Sequence, residues 1–151
     1  MLNLLQELAS IVDALSAANI PYAICGGLAM SVHGFTRATE DIDLFVRAED
    51  VDRVENVVEP LGYVVKAKPM NFSSGAMRIR RVSKIDASDG DLLMLDLLLM
   101  TDATEFAWTT REIREWNDRE IAVVSREGLI LLKRFRSSDQ DLVDIARLEN
   151  E

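Results

Sequence analysis

Two aspartates alternate at Asp41 and Asp43, a glycine pair stands upstream at Gly26-Gly27, and a single arginine, Arg37, lies between the two pieces. On a strand covering about 41–46, Asp41 and Asp43 project from one face, roughly 6 to 7 Å apart along the chain. Two ionised carboxylates held this way repel by a few kcal/mol at an effective dielectric near ~20, so the pair suits a divalent cation or the metal carried by a substrate phosphate. The plain alternative is a pair of acids that simply solvate on an exposed face. Asp96 supplies a third acid, set alone in the apolar run Leu92-Leu93-Met94-Leu95-Asp96-Leu97-Leu98-Leu99. An unpaired charge in a central strand costs several kcal/mol, so Asp96 needs a metal, a cation or a solvent-filled cleft beside it. If that strand lies next to the 41–46 strand, Asp41, Asp43 and Asp96 converge as a three-carboxylate cluster able to share two metals. Mg²⁺ suits this set, because it takes a few carboxylates and completes its shell with water and phosphate oxygens. Mn²⁺ is the alternative ion.

The elements that must position these residues are readable from spacing. Leu2, Leu5, Leu8, Ile11, Val12, Leu15 and Ala18 recur at three or four residues and predict an amphipathic helix stopped by Asn19 and Pro21. A short strand at 22–25 runs into the glycine pair, and residues 28–34 form a brief helix whose N-terminus offers bare N–H donors to a phosphate. Residues 50–58 predict a second helix ended by Pro60 and Gly62, followed by strands at 63–67 and 77–82 with a Ser- and Gly-rich loop at 69–75. After the 91–100 strand, Thr101–Thr104 reads as a helix cap, and residues 106–116 as a helix-like or irregular piece. A strand at 120–124 precedes a helix capped by Ser125, and a last helix runs from about Ser138 to Leu148.

The Gly-Gly-x-Ala, Gly-x-x-Arg and Thr-x-Asp-Ile-Asp-Leu pieces together resemble the nucleotidyltransferase superfamily, and most of all its small bacterial toxin-type or minimal members of the abortive-infection kind. The resemblance implies an α+β (α/β) nucleotidyltransferase fold, a mixed twisted sheet flanked by helices with C-terminal helices, in one domain over 1–151. The catalytic core would cover about 20–100 and the C-terminal helical part about 125–149. It implies Asp41 and Asp43 as ligands of the nucleotide's metal, Asp96 as the carboxylate that activates the acceptor, and Gly26, Gly27, Arg37 and Lys133 as nucleotide-binding residues. Many members have Ser where this chain has Gly27. The ending from Arg136 through Asp141 and Asp144 resembles the tail of the toxin-type relatives, with the two acids placed on one helical face to orient Lys133 or Arg136.

With 151 residues and 48% hydrophobic content, the chain can bury a real core. Its start lacks the basic stretch of a signal peptide, and no apolar run approaches the ~20 residues that span a bilayer, so a cytoplasmic protein with no membrane partner is expected. Cys25 is the one cysteine and is expected to pack rather than react. The net charge of −9 is uneven: residues 60–85 hold no acid but do hold Lys66, Lys68, Arg78, Arg80, Arg81 and Lys84, a local +6 that leaves −15 elsewhere. This segment is either a solvated sheet edge or a positive wall for a triphosphate or nucleic acid. His33 and the two tryptophans, Trp108 and Trp116, read as structural.

The implied activity is Mg²⁺-dependent transfer of an NMP group from an NTP to a hydroxyl, on a tRNA or other RNA end or a protein side chain, in a toxin-antitoxin setting with a cognate antitoxin as partner. Two alternatives stand beside it: a small-molecule nucleotidyltransferase of the aminoglycoside type, and a non-catalytic module that binds nucleotide or a partner protein.

Overall fold

The computed structural model describes residues 1–151 and contains one mixed sheet with helices on both faces. Helix α1 (Leu4–Ala17) starts at Asn3, whose side chain accepts from the Gln6 amide, and buries Leu8, Ile11, Val12 and Leu15 as the spacing predicts. Then follow β1 (Ala23–Cys25), α2 (Gly26–Val32), β2 (Ile42–Arg47) and α3 (Val51–Val58). Strands β3 (Val65–Lys66), β4 (Met70–Phe72), β5 (Met77–Ile85) and β6 (Leu92–Met100) come next. Helix α4 (Glu105–Thr109), the β7 (Glu112–Trp116) and β8 (Arg119–Val123) hairpin, α5 (Arg126–Arg136) and α6 (Asp139–Asn150) complete the chain.

The strand order is β3-β5-β6-β2-β1-β8-β7, with β4 paired to β5. Central β2 runs parallel to β6 and antiparallel to β1. Its residues Ile42, Leu44, Phe45 and Val46 are fully buried, which is why this stretch reads as almost continuous apolar sequence. One face carries α1 and α3, and the other carries α5 and α6.

Two short strands differ from the sequence expectation. The 69–75 segment, read as a loop, contains β4, because nine-residue β5 extends beyond β3 and leaves its Met77–Ile79 end open to a second partner. Residues 106–116 split into α4 and edge strand β7, and β7 turns into β8 through Asn117 and Asp118, both at positive φ. That pair is a recognisable two-residue hairpin signal, hidden here by the charged, exposed residues of β7. The Gly26-Gly27 pair also sits inside the first turn of α2 rather than ahead of it.

Candidate active site

Sheet register lines up four residues across four strands. Arg81 on β5 is opposite Asp96 on β6, Asp96 is opposite Asp43 on β2, and Asp43 is opposite Cys25 on β1. Directly opposed residues share a face, so all four project toward α5 and α6. Asp41 stands one residue before β2, not within it, yet joins Asp43, Asp96, Gly27, Arg37, Thr39, Glu40, Arg81 and Arg136 around one open cleft of about 390 Å³. The glycine pair, the single arginine and the three aspartates picked out by type and spacing are therefore brought together.

The glycines are required by close approach. At Gly26 the backbone has φ +64° and an added Cβ would fall 1.9 Å from Asp43 Oδ2. At Gly27 it would fall 2.1 Å from Arg37 Nη1 and 2.7 Å from Thr39 Oγ1, so Arg37 occupies the room a serine side chain would need. A Gly26→Ala variant should shift β2 against α2 and lower transfer activity at least tenfold while leaving much of the fold in place. Activity assays paired with circular dichroism check this outcome.

Asp43 is nearly buried and makes no hydrogen bond or ion pair with the protein. Burial pushes its carboxyl up to about 7, with Arg136 pulling the other way and the neighbouring Asp96 and Asp41 adding to the rise. Burial and Asp96 raise Asp41 as well. Asp96 differs, because Arg81 grips it with a two-pronged ion pair, Nε to Oδ1 at 2.7 Å and Nη2 to Oδ2 at 3.0 Å. The expected three-carboxylate cage is corrected accordingly: no three acidic, His or Cys side chains close on one point, since Asp96 turns into the guanidinium fork. Two unpaired and mutually repelling acids, Asp43 buried and Asp41 half-buried, still fit a divalent cation that completes its shell with water and phosphate oxygens.

The fold matches known enzymes. Residues 7–148 match the aminoglycoside-2''-adenylyltransferase family. The chain belongs to that family. As a member it is a nucleotidyltransferase, and solved structures agree on the fold. The lincosamide antibiotic adenylyltransferase LnuA, with lincomycin bound, superposes with a TM-score of 0.61 at 20% identity, covering 96% of either chain. ANT(2'')-Ia in complex with adenylyl-2''-tobramycin gives 0.62 at 19% identity over 95% of this chain and 85% of that one. A nucleotidyltransferase structure from Thermotoga maritima gives 0.58 at 17% identity, over 96% and 88%. No curated protein matches in sequence.

In this family member the C-terminal helices supply the cleft's cationic wall from behind. Arg136 lines the cleft and is held by Asp141 through Nε and Nη2, both at 2.9 Å. Arg37 lies 3.1 Å from Asp144 through Nε. Lys133 does not line this cleft: it is 2% exposed and sits 2.8 Å from Asp144 and 3.5 Å from Asp141. Burial pushes Asp141 up, but its bonds to Arg136 and Ser138 outweigh that and hold it at about 2. Lys133 and Gln140 outweigh burial in the same way at Asp144, which titrates below the usual range.

Arg81 and Arg136 are the cleft cations that sequence reasoning placed elsewhere, Arg81 within a basic strand and Arg136 as a residue awaiting orientation. Strand alternation was the available signal, since it separates Arg81 from Arg80 and Lys84 on the opposite face. Three members of that opposite group are paired rather than free. Arg80 reaches Glu55 at 2.7 Å and Asp52 at 3.2 Å, Lys84 reaches Glu7 at 2.9 Å, and Lys66 stands 3.9 Å from Glu55. These side chains bind α1 and α3 to the sheet. His33 Nε2 bonds the Val124 carbonyl at 2.8 Å, Trp108 meets Phe45 edge to face at 5.7 Å, and Cys25 is buried with its thiol raised by desolvation. All three serve packing.

Proposed function

We propose that this enzyme transfers the AMP group of ATP to a hydroxyl of a small cationic molecule of the aminoglycoside or lincosamide kind. The carrying observation is a cleft lined by four acids, Asp41, Asp43, Asp96 and Glu40, with Arg81 paired to Asp96 and two further arginines, Arg37 and Arg136. The arginines suit the triphosphate, because a guanidinium binds phosphate oxygens in pairs and these two are held ready by buried acids. Gly27 leaves room for the Arg37 guanidinium to lie close against the backbone. The acids suit an amine-bearing acceptor, as does the −9 net charge.

Asp41 and Asp43 would hold Mg²⁺ or Mn²⁺, which when bound supplies positive charge to the triphosphate and its leaving group. Asp96, opposite Asp43 and paired with Arg81, would take up the proton of the acceptor hydroxyl once uncovered. No helix is long and apolar enough to cross a membrane, and ATP and Mg²⁺ make the cytoplasm the working compartment. The reading of an RNA end or protein side chain as acceptor, with an antitoxin partner, loses support on two counts. The matched family is named for aminoglycoside adenylylation, and three of the six basic residues that suggested nucleic acid, Lys66, Arg80 and Lys84, are paired with α1 and α3.

The test is incubation with α-labelled ATP and Mg²⁺ against separate panels of aminoglycosides, lincosamides, total tRNA and cell extract. Label is expected in one or more of the small molecules. Label confined to RNA or protein would restore the other acceptor class, and no transfer to any panel would remove the enzymatic reading.

A further inference from the structure

The partners of the three cleft arginines set one of them apart. Arg37 and Arg136 are held from behind, by Asp144 and Asp141, which are fully buried and do not line the cleft. Arg81 is held from within it, by Asp96, which does line the cleft. The Arg81 side chain is 31% exposed and that of Asp96 only 4%, so the guanidinium lies on the solvent side of the pair and covers the carboxylate. Only Nε and Nη2 of Arg81 are engaged, which leaves Nη1 without a hydrogen-bond partner.

We propose that Arg81 is a displaceable mask on Asp96: a nucleoside triphosphate entering the cleft draws the guanidinium onto its phosphates and uncovers Asp96 for the acceptor. The exchange has a real cost, because Asp96 is nearly buried and loses a two-pronged partner, and it is offset by a phosphate that offers the same fork geometry with more negative charge and by the cation that the nucleotide brings. Before the exchange, Arg81 fills with its own positive charge the position that a cationic acceptor would take. Nucleotide and acceptor are thereby coupled through one side chain, with Arg81 acting as a positioning residue through Asp96. The inference rests on the transfer function proposed above and adds the residue that links its two substrates.

The test needs no acceptor. In ¹⁵N NMR spectra the Arg81 Nε–H signal, assigned by its loss in Arg81→Lys, should depend on Asp96 in the free protein. It should then shift on addition of Mg²⁺ with a non-hydrolysable ATP analogue. By calorimetry, Asp96→Asn should bind that analogue about tenfold more tightly, since the guanidinium no longer has to leave a carboxylate. The gain should vanish in the Asp96→Asn/Arg81→Met double variant, while Arg81→Met alone binds about tenfold more weakly and Arg81→Lys stays within a few-fold of wild type. If the Nε–H signal stays in place while the Gly26 and Gly27 amides respond to nucleotide, Arg81 is a fixed clamp and the mask is overturned. An equal gain from Asp96→Asn with and without Arg81 would overturn it as well, by reducing the effect to simple charge removal. If the glycine amides do not respond either, nucleotide does not bind and the transfer reading falls together with the mask.

Discussion

Asp43→Asn is expected to make the protein more stable at pH 8 and nearly inactive at every pH. Asp43 titrates at about 7 in the folded chain, against 3.8 for an ordinary aspartate, chiefly because it is buried. Between those two values the folded state holds a proton that the unfolded state has released, so stability falls as pH rises through the window. A difference of this size corresponds to about 4 kcal/mol at most, carried in full above pH 7 and absent below about pH 4. Asparagine keeps the shape and never takes the charge. In metal-free buffer, urea denaturation should give the two proteins similar stability at pH 4 and favour the variant by a few kcal/mol at pH 8. Millimolar Mg²⁺ should narrow the gap by stabilising the wild type alone. Transfer activity should drop about a thousandfold, as expected from the loss of several kcal/mol of transition-state stabilisation at a metal site. Parallel pH-stability curves for the two proteins would show that residue 43 carries no buried charge, and an equal response of both to Mg²⁺ would remove it as a cation ligand.

What made this residue legible in the sequence was contrast. A carboxylate in a run as apolar as Ile42-Asp43-Leu44-Phe45-Val46 stands out by type alone, and period-two alternation predicts which acid shares its face. The same contrast exposed Asp96, and the adjacent, in-register pairing of β2 with β6 places the two opposite each other. Long amphipathic elements were also readable, because α1, α5 and α6 carry caps at Asn3, Ser125 and Ser138 that accept backbone N–H bonds. Short edge strands were not: β4 and β7 owe their existence to an open neighbour, which no local pattern encodes. Charge partners were the other blind spot. Arg80 and Arg81 are consecutive, yet one ties the sheet to α3 and the other covers Asp96, a difference set by which face each occupies. Lys133 and Arg136 were both visible as C-terminal cations. Only the depth of the groove between α5 and α6 decided that the lysine is buried and the arginine reaches the cleft.

That groove leads to the second large expectation, an effect on stability and nucleotide binding that separates under the right variant. Asp144 is 0% exposed and faces Lys133 at 2.8 Å and Arg37 Nε at 3.1 Å. Removing it as Asp144→Ala leaves the buried ammonium with only the more distant Asp141, at 3.5 Å, and breaking a buried pair from one side costs about 3–5 kcal/mol. In a chain of this length that amounts to a fall of about 10 °C or more in the midpoint of thermal unfolding. Replacing both partners, as Lys133→Met with Asp144→Leu, removes the buried ammonium together with its acid, leaves only the partly exposed Arg37 without its partner, and should recover most of the stability. Arg37 is the difference between the two readouts. It has lost its buried anchor in either variant, so the affinity for ATP should remain about tenfold low even in the thermally restored protein. Thermal melts alongside ATP affinity distinguish the roles. Recovery of both together would make the Lys133–Asp144 pair a packing device alone, whereas recovery of the fold without the affinity assigns the buried acid to holding Arg37 over Gly27 for the phosphates.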